Sequence, residues 1–418
     1  MALDIRTLST NEEFDAWMRG AATGFLRADK ITDEEIRTRL GAVELDRIQG
    51  AFDGGRCVGT FRTIPQELTV PGGATVSSCG VSGVTVSPTH RRRGLLGRMM
   101  ANAMEAAKER GDVLASLVAA EYRIYGRYGY GPAAWSAEWT VEIPRSGFDP
   151  RYAGPSDGGR VDLADPDEVL RVMPEVYERY RVQQHRQGII DRDEMWWKRT
   201  VGAARFPGDG FTPRFYAVYR DAQGVPQGLA VYVVDDHWTG QQPDVTATVH
   251  TLFGTSPEAE RALWHYVLSI DWVSRVATGS RSPDDVLPHL LPDPRGARIT
   301  SYADFLWVRP LDVPRMLEAR TYDTHGALVL EVRDAAGFAD GRFRLETAPG
   351  EGGAKCAPTR DDADLALDVA ELGRLFLGDE SVSRLLATGR AEERRAGAAA
   401  TGDAVFRTAR RPWCPDTF

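Results

Sequence analysis

Cysteine is scarce in this sequence of 418 residues, and the four cysteines lie far apart. Cys57, Cys79, Cys356 and Cys414 form no C-x-x-C pair, which argues against both a disulfide framework and a zinc site. The seven histidines show no H-x-x-x-H spacing and no regular pairing with carboxylates, so no metal is expected. This cysteine usage fits a reducing compartment and predicts a cytoplasmic protein.

Long apolar runs and net positive charge are also absent. No stretch reaches the roughly 18 apolar residues that a membrane-spanning helix needs, and residues 1–6 contain an early acid, so neither a membrane span nor export is expected. The sequence has 51 Lys and Arg against 60 Asp and Glu, a net charge of −9. This balance disfavours nucleic acid as a partner and favours a small cationic one.

What remains is an ordinary globular composition, with 42% hydrophobic and 27% charged residues. At roughly 100–200 residues per domain, the length predicts two to four domains. Changes in composition and pattern divide the chain into three segments, which are residues 1–148, 149–306 and 307–418.

The first segment combines short strands with one helix. Residues 57–61 and 67–70 are predicted to form separate strands before a turn rich in proline and glycine. Residues 79–86 are β-rich, residues 95–110 have a helical pattern, and residues 113–118 form an apolar run. A strand, a helix and a strand in this order indicate a parallel crossover unit.

The second segment repeats this order. Residues 215–219 and 229–234 predict a hairpin, residues 245–253 a strand, and residues 257–272 a helix. The turn between that strand and helix, residues 254–257, contains no arginine. If the segment is a duplicate of the first, it is therefore expected to lack the ligand site.

The third segment predicts a small α+β domain. Its expected elements are a hairpin at 327–332 with 342–346, a strand at 365–369, and helices at 371–377 and 381–387. The tail, residues 410–418, is rich in bulky side chains and has no helical or strand period. Such a tail is unusual, because chain termini are generally polar and frayed.

The strongest motif runs from Val84 to Arg98, where a valine-rich strand passes through a basic turn into the predicted helix. A helix N-terminus presents unpaired N–H groups to an anion, Gly94 allows close backbone approach, and Arg92 and Arg93 add positive charge. Neither a P-loop nor a G-x-G-x-x-G fingerprint is present. The alternative is that these arginines and the glycine only cap a surface helix.

A second motif follows the next strand, over residues 119–131. Its Tyr-x-Arg-x-Gly-aromatic pattern resembles GNAT-superfamily acyltransferases, and the arginine turn resembles their R-x-x-G-x-G/A pyrophosphate loop. Leu96 stands where that loop has its last small residue, so the phosphate contact is expected to move toward Gly97. Tyr128 and Tyr130 are expected to be core aromatics, and Tyr125 has the same alternative.

The superfamily resemblance implies a site for acetyl-CoA, with the strand pairing to the pantetheine arm and Tyr125 protonating the departing thiolate. A phenol suits this role, because its ordinary pKa near 10 keeps it protonated. The residues implied to bind acetyl-CoA are Val84, Thr85, Val86, Arg92, Arg93, Gly94, Leu95, Leu96, Gly97, Ala120 and Glu121.

The three segments together, with residues 124–132 and 304–313, resemble the enhanced intracellular survival (Eis) family of actinobacteria. The resemblance implies two tandem GNAT-like domains, the second degenerate, followed by a sterol-carrier-protein-like α+β domain. It also implies a homo-hexamer that acetylates amines of aminoglycosides and lysine side chains, with the α-carboxylate of the final residue, Phe418, as general base. Tyr122 and Arg123 replace small residues of the family and are expected to narrow or recharge the acceptor pocket.

The predicted function is therefore acetyl-CoA-dependent N-acetylation of cationic amines. Two alternatives remain at this point: a protein-lysine acetyltransferase, and a non-catalytic acyl-CoA or lipid-binding protein whose third segment carries the function. Glu121 is the alternative general base.

Overall fold

Two large β-sheets, a two-stranded ribbon and the helices packed against them make up the described structure. The computed structural model describes residues 3–27, 31–152, 154–206, 210–350 and 352–418. The strands are β1 (Asp4–Thr7), β2 (Ile48–Asp53), β3 (Arg56–Thr69), β4 (Thr75–Val86), β5 (Leu114–Val118), β6 (Gly131–Glu142), β7 (Arg160–Ala164), β8 (Phe215–Arg220), β9 (Pro226–Val234), β10 (Trp238–Thr239), β11 (Gln242–Pro243), β12 (Val245–Gly254), β13 (Val273–Thr278), β14 (Ala297–Pro310), β15 (Gly326–Arg333), β16 (Gly341–Thr347), β17 (Ala354–Pro358), β18 (Leu365–Asp368) and β19 (Ala391–Glu393). The helices are α1 (Asn11–Gly24), α2 (Asp33–Leu40), α3 (Leu95–Glu109), α4 (Tyr122–Tyr125), α5 (Ile143–Ser146), α6 (Pro166–Arg181), α7 (Glu194–Val201), α8 (Pro257–Leu268), α9 (Val313–Ala319), α10 (Val369–Phe376), α11 (Val382–Ala387) and α12 (Ala398–Phe406).

The crossover unit predicted in the first segment is confirmed. Strands β4 and β5 are parallel neighbours, and α3 connects them. Leu95, Met99, Met100, Ala103 and Met104 are buried along α3, at the three- and four-residue spacing of a helix face that packs on a sheet.

The prediction of two separate strands at 57–61 and 67–70 is wrong, because β3 is one continuous strand through Pro65. The last residue of β3 that pairs with β2 is Arg62, opposite Ile48. Beyond it, β3 has β4 on one side, and on the other side residues 188–191 hydrogen-bond only to Glu67 and Thr69, so this edge is free of ladder bonds at Pro65. A proline is tolerated there, because its missing N–H removes no bond on the free edge.

The two halves of the main sheet exchange strands. The order in this 12-stranded sheet is β1-β2-β3-β4-β5-β14-β6-β13-β12-β9-β8-β7. Strand β14 is the last strand of the second half in sequence but lies between β5 and β6 of the first half, and β6 pairs with β13 of the second. Because β14 covers Ala297–Pro310, it runs across the predicted boundary between residues 306 and 307.

The second half has the predicted order of hairpin, strand and helix, but its helix α8 ends at Leu268 rather than at residue 272. Trp272 has a φ of 73°, which an α-helix cannot accommodate. Strand β13 begins directly afterwards, at Val273, so the chain turns into the sheet before the helical pattern in the sequence ends.

The C-terminal part is an α+β unit, as predicted, whose five-stranded sheet has the order β17-β16-β15-β18-β19. A buried ion pair joins it to the main sheet: Arg309 on β14 donates two hydrogen bonds, of 3.0 and 2.9 Å, to the carboxylate of Asp334. In the described part of the chain, no helix is long and apolar enough to cross a bilayer.

Candidate active site

Strands β4 and β5 separate from one another after a short stretch of pairing. Their parallel pairing covers Ser78–Gly80 on β4 and 114–116 on β5. Strand β4 then continues to Val86 alongside β3, while the end of β5 stays paired with β14. The backbone edge of β4 that faces β5 is therefore open over Val84, Thr85 and Val86, which can accept an extended chain between the strands.

A buried polar network lies at the base of this opening. The hydroxyls of Ser78 and Ser116 are 2.8 Å apart across the two strands, and the Ser116 hydroxyl donates to the side-chain carbonyl of Gln66, at 3.0 Å. All three side chains are buried. The network satisfies polar groups that would otherwise be orphaned beside the opening and fixes the point at which the strands part.

The basic turn between β4 and α3 has the backbone of an anion site. Arg92 and Gly94 have positive φ angles of 63° and 73°, and no side chain of the described residues caps α3. The first backbone hydrogen bond of the helix is made by Arg98, to the carbonyl of Gly94, at 3.1 Å. The N–H groups of Leu95, Leu96 and Gly97 therefore lie in the uncapped first turn beside exposed arginines, where an anion is stabilised.

His90 holds this turn to the neighbouring hairpin. Its buried ring lies between Asp53, whose carboxylate is 3.1 Å from Nε2, and the hydroxyl of Thr89, 2.8 Å from Nδ1. Because the basic turn is fixed at this end, it loses less conformational entropy when a ligand binds.

In the second half, the chain's own residues fill the corresponding helix N-terminus and the corresponding gap between strands. Ser256 caps α8 by accepting the N–H of Ala259, at 3.1 Å, and Pro257 has no N–H to offer. Strands β12 and β13 also part, after Val249. At this point the buried Arg281 donates a hydrogen bond to the carbonyl of Leu252, at 2.6 Å. The cavity that Arg281 and Leu252 line measures only 10 Å³.

Tyr125 lies in the core behind the opening. It ends α4, its side chain is 9% exposed, and its ring packs edge-to-face on that of Tyr130, with centroids 6.2 Å apart. Burial, and to a smaller extent the negative charge of Glu121, raises the pKa of Tyr125 above its ordinary value. The phenol therefore holds its proton at neutral pH and can deliver it to a stronger base.

A cavity of 420 Å³ opens beside β3 and β4. It reaches β4 at Ser82 and Gly83, directly after the last residues paired with β5, and Phe418 lines its wall. Among the described residues, Tyr125 is not part of this wall. The cavity and the opening between the strands thus meet at one place on β4, with the end of the chain beside it.

A buried ion pair sets the position of that chain end. Arg192 donates two hydrogen bonds of 2.9 Å to the carboxylate of Asp416, and the two side chains are 2% and 6% exposed. The Tyr177 hydroxyl donates to the same carboxylate, at 3.3 Å. The guanidinium also stacks on the ring of Trp196, at 3.7 Å. Sequence reasoning missed this pair, because its partners are 224 residues apart.

The remaining predicted residues lie at or near the end of β5. Ala120 and Glu121 are exposed in the turn that leads into α4. Tyr122 and Arg123 were expected at the acceptor pocket, but neither lines the 420 Å³ cavity in the described part of the structure. The Tyr122 ring instead packs edge-to-face on Trp307 of β14, with centroids 4.9 Å apart, and its hydroxyl accepts a hydrogen bond from Arg374 of the C-terminal unit, at 3.1 Å.

The comparisons with known proteins agree with this architecture. Residues 4–133 and 188–310 match two acetyltransferase (GNAT) domain families, and residues 313–415 match a sterol carrier protein domain family. N-acetyltransferase Eis of Mycobacterium tuberculosis is 36% identical over 371 residues, which cover 86% of this chain and 87% of that protein. The chain belongs to the Eis family of N-acetyltransferases.

Other relatives extend the likeness over the full length. An uncharacterized N-acetyltransferase of Streptomyces avermitilis is 55% identical over 417 residues, covering 100% of this chain and 99% of the relative. The structure of Eis1 from Mycobacterium abscessus has a TM-score of 0.84 at 29% identity, covering 99% of this chain and 100% of that one.

These findings confirm the predicted fold, in which two GNAT domains precede a sterol-carrier-protein-like domain. They also make this Eis-family chain an enzyme, so the alternative of a non-catalytic binding protein is set aside. No group of metal-ligating side chains suited to a metal ion occurs among the residues that the structure describes.

The ion pair of the tail generates a test. Replacement Asp416→Asn leaves the buried Arg192 cation uncompensated, so we expect a loss of about 3–5 kcal/mol where the tail docks, and faster digestion of the tail by carboxypeptidase. The exposed neighbouring variant Thr417→Ala is the matched control and should be digested like the unmodified enzyme. Equal digestion rates for all three proteins would contradict the anchoring role.

Proposed function

We propose that this Eis-family enzyme transfers the acetyl group of acetyl-CoA to primary amines of cationic acceptors such as aminoglycosides. The observation that carries the proposal is the open edge of β4 next to the uncapped, arginine-flanked N-terminus of α3. These two features suit the two parts of acetyl-CoA, because the edge offers backbone hydrogen bonds to an amide-containing arm and the helix N-terminus favours a pyrophosphate. The thioester supplies an activated acetyl group.

The residues of the chain divide the work of the transfer. Val84, Thr85 and Val86 bind the arm, and the turn with Arg92 and Arg93 binds the pyrophosphate through its arginines and the N–H groups of Gly94, Leu95, Leu96 and Gly97, with Ala120 and Glu121 at the end of β5. The acceptor occupies the 420 Å³ cavity, whose contact with β4 at Ser82 and Gly83 supports attack at the end of the arm.

Three proton transfers accompany the reaction. The acceptor ammonium loses its proton to the α-carboxylate of Phe418, which lines the cavity, and the free amine then forms the new C–N bond. The nitrogen releases its second proton to water before the tetrahedral intermediate collapses to the amide. As the C–S bond breaks, Tyr125 gives its proton to the departing thiolate and is reprotonated from solvent. Its raised pKa supports this role, because the phenol stays protonated until the thiolate forms.

Protein lysine side chains are the second acceptor class that we propose, since they present the same primary ammonium. We further propose a homo-hexamer in the cytoplasm, as the family resemblance implies. The four cysteines are buried free thiols, which supports a reducing compartment. An acetyl-CoA turnover assay with thiol detection, run on aminoglycosides, polyamines and lysine peptides, tests the function and ranks the acceptors.

The anion site is tested by Arg93→Ala. A charge-assisted hydrogen bond contributes about 1.5–3 kcal/mol, so the Kd of acetyl-CoA should rise roughly ten-fold or more, measured by calorimetry. Arg110→Ala removes an exposed arginine at the opposite end of α3 and is the charge-matched control. Unchanged affinity in Arg93→Ala, or an equal loss in both variants, would contradict a specific phosphate contact.

The general acid is tested by Tyr125→Phe. Loss of the phenolic proton should lower kcat by about 10²–10⁴-fold and leave the Kd of acetyl-CoA unchanged. Tyr130→Phe removes a buried phenol whose hydroxyl contacts the sulfur of Met104, at 3.6 Å, and should act on thermal stability rather than kcat. If Tyr125→Phe keeps most of its kcat, Tyr125 serves packing only.

The general base is tested at the last atom of the chain. A C-terminal extension that converts the Phe418 carboxylate into an amide should abolish turnover, whereas the same extension at the N-terminus should not. Phe418→Leu keeps the carboxylate and should retain more activity than the extended protein. Thermal unfolding separates lost chemistry from lost fold, and full kcat in the extended enzyme would transfer the role to Glu121 or a water chain.

A further inference from the structure

The wall of the 420 Å³ cavity carries charges of both signs. Its arginines and carboxylates are Arg27, Glu35, Arg39, Arg62, Asp191, Arg192, Asp193, Arg199 and Asp416, together with the α-carboxylate of Phe418. Several of these are engaged with one another or with the backbone. Arg39 pairs with Glu35 at 3.0 Å, Arg192 pairs with Asp416, and Asp193 caps α7 by accepting the N–H of Trp196, at 2.6 Å.

Two arginines of this wall, the exposed Arg27 and Arg62, have no such partner among the described residues. Arg62 is half-buried in the middle of β3, and no hydrogen bond or ion pair within the described residues engages its guanidinium. Asp193 and Glu44 act on it only at longer range, and burial lowers the pKa of Arg62 below its ordinary value. The side chain is thus a half-buried cation on the cavity wall, and its donors meet no protein acceptor in the described part of the structure.

Such a group is costly in the free protein. Removing a charged side chain from water without a partner opposes folding, and a hydrophobic residue of similar volume would avoid that cost. A hydrophobic residue would suit this position, because the neighbouring wall is apolar and aromatic, with Phe14, Trp17 and Phe206. A half-buried charge that faces a cavity is instead suited to a ligand of opposite charge.

The carboxylates of this wall, by contrast, are largely engaged by the protein. Asp191 accepts the N–H of Glu67 at 2.7 Å. Glu35 is paired with Arg39, and Asp416 is paired with the buried Arg192. A ligand carboxylate would therefore meet little competition for Arg62 from the carboxylates of the wall.

We propose that Arg62 binds a carboxylate of the acceptor, so that the preferred acceptors are amines that also carry a carboxylate on an apolar body. This inference rests on the proposed function, because it ranks the primary amines that the same site acetylates and places carboxylate-bearing amines above the aminoglycosides. The acceptor's ammonium lies toward the Phe418 carboxylate, its carboxylate toward Arg62, and its body against the aromatic wall. An aminoglycoside has no anionic group and leaves Arg62 unpaired, so it is the poorer of the two substrates.

The test compares matched pairs of acceptors. Each ω-amino acid in a series of increasing chain length, and 4-(aminomethyl)benzoate, is assayed against its own carboxamide, so that only the anionic charge differs. We expect kcat/KM for the best carboxylate to exceed that of its carboxamide by roughly ten-fold or more, which corresponds to about 1.4 kcal/mol. In Arg62→Met this ratio should fall to near one, and Arg62→Lys should restore part of it.

This test has a control variant, Arg56→Met, and a second measurement, the melting temperature. Arg56→Met removes an exposed arginine from the same strand, outside the cavity, and should keep the ratio of the unmodified enzyme. Arg62→Met should not lower the melting temperature, because the guanidinium has no protein partner to lose. A lowered melting temperature would show that Arg62 has a structural role instead.

The outcomes separate this inference from the function on which it rests. If no amine of any class is acetylated although acetyl-CoA binds, the proposed function fails. If amines are acetylated but the carboxylate and carboxamide react equally, and Arg62→Met changes nothing, only the acceptor class is wrong. A preference for aminoglycosides over every carboxylate-bearing amine would likewise overturn it.

Discussion

The buried ion pair between Arg192 and Asp416 is the constraint on which the geometry of the candidate site depends. The tail that ends at Phe418 belongs to no helix or strand, so no ladder of backbone hydrogen bonds fixes it, and side-chain contacts must offset the entropy of ordering it. Two charge-assisted hydrogen bonds, a third from Tyr177 and stacking on Trp196 provide these contacts two residues before the chain end. A base must be held close to its substrate to be effective, so the role that we propose for the Phe418 carboxylate depends on a residue that need not touch the substrate.

The tail also links the two GNAT domains. Its Trp413 lies under the Arg281 guanidinium, at 5.1 Å, beside the place where β12 and β13 part, and Phe418 lies at the cavity next to the opening between β4 and β5. The same segment therefore helps to fill one opening and lines the approach to the other. Exchange of β6 and β14 between the two halves of the sheet fixes their relative position. The two GNAT domains thus differ at the corresponding place. The first leaves an opening between β4 and β5, whereas the second packs against the tail of the chain.

Local features of this fold could be predicted from the sequence, and long-range contacts could not. The helix after the arginine turn followed from apolar residues at helical spacing, since Leu95 and Met99 face the sheet. Strand β3 was predicted as two strands, and only its pairing with β4 shows that it continues through Pro65. The cavity wall could not be foreseen, because it joins Arg62 to residues from the middle and the end of the chain, and no spacing rule relates such distant positions.

The charge of the whole chain and the charge at the cavity act over different distances. A net charge of −9 attracts cationic molecules from solution, but salt screens that attraction beyond about 8–10 Å. Inside the cavity, salt screens the charged side chains less because they are partly buried. One of these side chains, Arg62, has no partner among the described residues. The general field therefore favours the encounter with any amine, whereas Arg62 acts only on a molecule already in the cavity. Under this proposal, the enzyme selects among amines by whether they carry a carboxylate that can bind Arg62. The total positive charge of an amine does not predict its rate of acetylation.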